Sequence, residues 1–287
     1  MMSEDSHAYQ IVDFPQDRRD LPIISELNAR KHFMYALLEV DVTAARAAIE
    51  AHRVETGELL SFSGYLALCL ARAVAEDKRV QAYVKGSKHL LVCDDVDVGL
   101  MVERTKGEKS VLMGYVIRSA NRKSYREIHV EIRAAQAEPV PENGGMPSWF
   151  RRLLLLPWPF SGISRALIQA AVRRDPTIFT SMAGTVGITS VGMFGKGKGG
   201  WGVVPVIHNL ALIVGGTIRK PAVTDRGIEP REMLDMTIAF DHDVIDGAPA
   251  ARFAKRLVDL IQDGYGLEDI SACAGEAGVP AAVCETA

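Results

Sequence analysis

The segment Phe240-Asp241-His242-Asp243-Val244-Ile245-Asp246-Gly247 holds the residue types best suited to chemistry in this chain. A mostly apolar run, Met236 to Phe240, delivers a histidine at what reads as a strand end. An imidazole titrates near neutrality, so a histidine in such a place can serve as a general base. Asp246, four residues on and beside Gly247, fits a tight turn that holds the loop. The same residues also suit a plain surface loop with a solvated histidine and helix-capping acids, and both readings stay open on spacing alone. A metal site built from Asp241, His242 and Asp243 is disfavoured, because consecutive strand residues point to opposite faces. No metal is expected.

A second dense segment lies upstream: Gly184-Thr185-Val186-Gly187-Ile188-Thr189-Ser190-Val191-Gly192-Met193-Phe194-Gly195. Together the two runs resemble the catalytic domain of dihydrolipoamide acyltransferases, the cores of 2-oxo acid dehydrogenase complexes, whose fold chloramphenicol acetyltransferase shares. The family pattern reads Gly-Thr-Phe-Thr-Ile-Ser-Asn-Leu-Gly-Met-Phe-Gly, followed several strands later by Phe-Asp-His-Arg-x-x-Asp-Gly-Ala. Phe33 to Thr43 is similar to the family's early strand, Val96 to Val102 and Val116-Ile117-Arg118 to its middle strands, and Ala248 to Leu260 to its closing helix. The resemblance covers most of residues 15–265 except about 140–182.

The resemblance implies an α/β fold, a chloramphenicol acetyltransferase-like two-layer sandwich with helices on a mixed sheet. It implies acyl transfer between a CoA thioester and a thiol, hydroxyl or amine, with coenzyme A or acyl-CoA as substrate and no covalent acyl-enzyme. Such a reaction needs a base for the acceptor and a hydrogen-bond donor for the oxyanion of the tetrahedral intermediate. His242 stands at the family's base and Thr189 at its oxyanion-stabilising serine, while Ser190 replaces an asparagine. Without the motif, Thr189 would read as an ordinary strand threonine. Asp246 matches an aspartate that pairs with an N-terminal arginine, and Arg19, with Arg18 next, lies at a suitable distance. The family builds each active site at a subunit boundary, so a homotrimer or a multiple of trimers is implied.

Two departures bear on function. Asp243 stands where the family usually has arginine, so three aspartates surround His242, and added negative charge favours the imidazolium form. The chain also starts almost directly at the catalytic domain, so no lipoyl group is expected on it; the acyl acceptor would sit elsewhere, on a separate lipoyl or carrier protein. The alternative reading is a non-catalytic core or scaffold of a dehydrogenase-like or synthase complex. The loop Gly195-Lys196-Gly197-Lys198-Gly199-Gly200-Trp201-Gly202 either meets CoA phosphates through its amides and lysines or is a plain hairpin. The P-loop pattern fails there, because Gly199 follows Lys198 where Ser or Thr is required. No cofactor-binding residues are assigned.

The elements that must position these groups alternate. Phe33 to Val40 reads as a strand and Thr43 to Glu55 as a helix; Ser61 or Ser63 caps a second helix to Glu76 with an apolar face. Strands are expected at Val80 to Val84, Leu90 to Cys93, Val96 to Val102 and Ser110 to Ile117, with a turn at Lys106-Gly107-Glu108. Ser124 caps a helix to about Gln136. Further strands are expected near 185–190, 201–206 and 209–217, and a turn at Asp225-Arg226-Gly227 leads to the strand ending at Asp241. The expected layout is an N-terminal arm (1–17), a catalytic domain (18–265) and a tail (266–287).

The atypical insertion, about 140–182, carries apolar residues from Trp149 to Leu156, a Pro157-Trp158-Pro159 break, and a helix from Ser161 to Arg174. Ile163, Leu167, Ile168 and Val172 are expected on one side of that helix, packed on the body or a neighbouring subunit. The competing reading is contact with a membrane, an acyl chain or a partner through 149–171. The run is too short and too interrupted to span a bilayer. With 287 residues, 48% of them hydrophobic, the chain can bury a large core. A net charge of −3 gives no footing for nucleic acid. The four cysteines lack Cys-x-x-Cys spacing and the first 17 residues do not form a signal peptide, so a reducing, cytoplasmic location is expected.

Overall fold

Phe33–Asp41, rich in apolar and aromatic residues, forms a strand (β1) whose side chains divide between two faces. A computed structural model of the chain describes residues 12–13, 31–106, 109–140, 152, 156, 160–191 and 198–268. After β1 come helices α1 (Thr43–Thr56) and α2 (Phe62–Glu76), two short strands β2 (Tyr83–Lys85) and β3 (His89–Leu91), and the hairpin β4 (Val98–Lys106) and β5 (Lys109–Ile117). Helices α3 (Tyr125–Ala137), α4 (Phe160–Arg174) and α5 (Thr177–Ala183) follow, then β6 (Val186–Ser190), β7 (Leu210–Thr224), β8 (Gly227–Asp241) and α6 (Gly247–Gln262).

Six strands form one mixed sheet in the order β1-β8-β7-β6-β4-β5, and β2-β3 pair apart. β6 runs parallel to both β4 and β7, while the other pairs are antiparallel. Helices α1, α2, α3 and α6 cover one face over the main apolar core. α2 is the central helix: Gly64 to Ala71 are all buried, and Ser61 caps it by accepting from the Gly64 N–H at 3.1 Å. A capping box of Ser124 and Glu127 starts α3. The second face is thinner, with Val206, Ala211, Ile213 and Ala239 packed beside Phe33, Val191 and Val204. The last eight residues of β8 are buried, as suits a strand covered on both faces. This is the expected α/β sandwich.

Several local expectations change. Residues 78–81 form a 3-10 turn, and a strand starts only at Tyr83. Residues 201–206 are not a strand. The preceding residues cross a bulge in β7, where the Gly216 N–H donates to Gly200 O at 3.0 Å. Side chains on Gly215 or Gly216 would collide with the backbone of 198–200, so that crossing requires glycine. β7 runs on to Thr224, and α5 was not foreseen. In α4 the expected apolar side splits: Ile168 is 6% exposed, but Ile163 and Leu167 are 61% and 64% exposed. No helix of the described residues is long and apolar enough to cross a membrane. The turn residues 107–108, most of 141–159 and the N-terminal arm lie outside the described residues.

Candidate active site

The antiparallel pairing of β1 with β8 brings the start of one strand against the end of the other. Phe33 sits opposite Asp241, and the His242 N–H donates to His32 O at 2.7 Å. His242 is exposed at the start of a turn closed by Val244 and Ile245 N–H groups bonding to Asp241 O. Asp241 is buried, and its Oδ1 accepts from the Asp243 N–H at 3.2 Å. Burial pushes the Asp241 carboxyl above its ordinary range, while the nearby Lys31 charge opposes that rise. Asp243, the departure from the family pattern, accepts a hydrogen bond from His32 Nδ1 at 2.9 Å. Asp246 is the exposed N-cap residue of α6, and its carboxylate does not cap the helix. The arginines expected to pair with it, Arg18 and Arg19, lie outside the described residues.

Thr189 lies near the end of β6, half-buried, opposite Ile213 of β7, which in turn faces Thr237 of β8. His242 is five residues beyond Thr237. At about 3.4 Å per residue along a strand and about 4.8 Å between strands, the two groups stand on the order of 20 Å apart in one chain. No substrate atom can touch both. The chain holds the expected base and the expected oxyanion donor without bringing them together.

Three residues near these groups carried no motif in the sequence. Lys31 is half-buried; its Nζ donates to Ile207 O at 2.8 Å and lies 5.7 and 5.8 Å from the ring centroids of Tyr83 and Phe179. Burial lowers it to about 8, against the pull of Asp241. His32 joins both Asp243 and the His242 backbone, as above. His208 is fully enclosed between α5 and β6: Nε2 donates to Ala183 O at 2.8 Å, which fixes the proton on that nitrogen, and the ring meets Phe179 edge-on at 5.4 Å. Burial lowers His208 to about 4. A Cβ on Gly187 would lie 2.9 Å from His208 Cε1 and closer still to Nδ1. Glycine at 187, where the family pattern has threonine, therefore makes room for this imidazole two residues before Thr189. That departure was the available signal for His208. Lys31 and His32 had none, since only strand pairing places them by the loop.

The glycine-rich loop is described only from Lys198 onward. There the Gly200 N–H is already taken by the buried carboxylate of Asp235 at 2.5 Å, which leaves that amide unavailable to a phosphate. Among the described residues, no group of three or more His, Cys, Asp or Glu side chains is arranged to hold a metal ion.

Comparison with known proteins agrees with the fold. Residues 164–267, which include Thr189, His242 and Asp246, match the family model "2-oxoacid dehydrogenases acyltransferase (catalytic domain)". The dihydrolipoyllysine-residue acetyltransferase component of the Pseudomonas aeruginosa pyruvate dehydrogenase complex is 37% identical over 68 residues, 23% of this chain and 12% of that protein. The lipoamide acyltransferase component of the Bacillus subtilis branched-chain alpha-keto acid dehydrogenase complex is 22% identical over 233 residues, 79% of this chain and 46% of that one. The chain thus spans less than half the length of these curated relatives. Among solved structures, the cubic core of a pyruvate dehydrogenase multienzyme complex superposes with a TM-score of 0.64 at 19% identity, covering 93% of this chain and 98% of that one. Chloramphenicol acetyltransferase does so with a TM-score of 0.52 at 14% identity, covering 88% and 99%. Residues 164–267 thus match the catalytic-domain model of the 2-oxoacid dehydrogenase acyltransferases, and the chain shares the fold of those catalytic cores.

Proposed function

We propose that this protein is a CoA-dependent acyltransferase working with a thiol acceptor of the dihydrolipoamide kind, carried on a separate lipoyl or carrier protein. The imidazole of His242 takes the proton from the acceptor thiol. The thiolate attacks the thioester carbonyl carbon, and the electron pair moves onto oxygen, where the Thr189 hydroxyl of a neighbouring subunit donates a hydrogen bond. Collapse of that intermediate breaks the bond to the CoA sulfur, which recovers the proton from the imidazolium. Asp246, with Arg18 or Arg19, holds the loop, and the assembly is a trimer or a multiple of trimers.

The observation that carries this reading is the pairing of one family-matched segment containing both groups with a strand register that separates them by about 20 Å. Two chains are needed to complete one site. The decisive experiment mixes purified protein with a panel of short acyl-CoA thioesters and dihydrolipoamide and follows the new thioester by chromatography. Transfer is expected, with His242→Ala costing about two orders of magnitude or more. Transfer no faster than the uncatalysed reaction with every acyl-CoA tested would overturn the proposal. A second reading, an inactive structural core, draws on Asp243 in place of the family's arginine. An assembled trimer without any transfer would favour it.

A further inference from the structure

The residues around His242 raise the question of what replaces the cation that the family pattern carries beside its histidine. Here that position is Asp243, with the opposite sign. The group facing it comes from the residue just before β1: His32 Nδ1 lies 2.9 Å from Asp243 Oδ1. The same residue's carbonyl accepts the His242 N–H at 2.7 Å. One residue thus holds two consecutive positions of the loop, His242 by its backbone and Asp243 by its side chain. A third brace is internal, the Asp243 N–H bonding to Asp241 Oδ1 at 3.2 Å. Lys31, immediately before His32, sits in the field of Asp241 and is anchored to Ile207 O.

We propose that His32 is a positioning residue for the general base, forming with Asp243 a hydrogen-bonded clasp that sets the placement of His242. The inference rests on the proposed transferase reading. The pair does not act through stability, because an exposed pair contributes little: the His32 side chain is 78% exposed and that of Asp243 47%. It acts through geometry. Proton transfer depends on the base lying within hydrogen-bond reach of the acceptor, and small displacements of a catalytic group cost rate steeply.

The test is a charge swap read by steady-state kinetics. His32→Glu opposes two carboxylates and should lower kcat about tenfold with KM little changed, the signature of lost transition-state placement. Asp243→Arg alone should also lose activity. The double variant His32→Glu/Asp243→Arg places an opposite-charge pair where the native hydrogen bond stood and should recover kcat to within about threefold of wild type, a coupling that independent sites would not show. Both partners are exposed, so all three variants should fold. Asp243→Arg as active as wild type, or a double variant no better than the worse single one, would overturn the clasp. Imidazole NMR provides a readout that needs no activity: His32→Gln should shift and broaden the His242 ring signals. Unchanged His242 signals would refute the inference even if the transferase reading stands. Shifted signals in a protein without transferase activity would support the clasp and fail that reading alone.

Discussion

Part of the protein's acid sensitivity should trace to one enclosed imidazole. His208 is buried, bonded to Ala183 O through Nε2, and held neutral with its titration lowered from the ordinary 6.5 to about 4. The unfolded chain therefore binds a proton near pH 6.5 that the folded chain refuses until about pH 4. Between those values the unfolded state carries more protons, so stability falls as pH falls. Integrating that difference from pH 7 to pH 5 gives a loss of about 2 kcal/mol, rising to about 3 kcal/mol below pH 4. Against a net stability of about 5–15 kcal/mol, this is a large share for a single group. The assay is urea unfolding at pH 7 and pH 5, at one fixed protein concentration because assembly contributes to apparent stability. His208→Gln keeps a donor for Ala183 O but cannot titrate. Other groups cancel in the comparison, so wild type should lose about 2 kcal/mol more than His208→Gln across that interval. Equal losses in the two proteins would refute the reasoning.

Other substitutions probe the same face. Gly187→Thr restores the family residue but collides with the His208 ring, and should lower stability by about 1–3 kcal/mol; adding His208→Ala should recover part of the loss in thermal melts. Lys31→Met removes a half-buried ammonium whose displacement from 10.5 to about 8 corresponds to at most about 3 kcal/mol of destabilisation below pH 8. Because the folded state releases that proton first, wild-type stability should rise relative to Lys31→Met between pH 8 and 10, as urea midpoints can check. Thr189→Ala should cut kcat about 100-fold or more, as for loss of an oxyanion donor, whereas Thr189→Ser should be nearly silent.

Much of the framework was legible because local patterns and long-range structure agree. The mostly apolar run from Phe33 to Val40, the Ser61 and Ser124 caps and the turn at Asp225-Arg226-Gly227 each specify a local conformation that the sheet then uses. Residues 201–206 misled because a Val-rich run can pack against the sheet without entering the ladder. Ile163 and Leu167 misled because four apolar residues on a helix do not reveal how many find partners. At the site, His242 at a strand end and Thr189 on a strand were readable from their runs. Their separation was not, since it depends on strand order and a five-residue offset in register. Lys31, His32 and His208 were missed for the same reason: each owes its place to residues far away in sequence.

The claim at the centre of this account is that each active site takes its base from one chain and its oxyanion donor from another. Complementation tests it most directly. His242→Ala and Thr189→Ala chains, each nearly inactive, are unfolded, mixed in equal amounts and refolded together. In randomly assembled trimers with head-to-tail interfaces, about one site in four combines an intact His242 with an intact Thr189. Activity near a quarter of wild type is the predicted result. A mixture no more active than its two components would contradict the shared site.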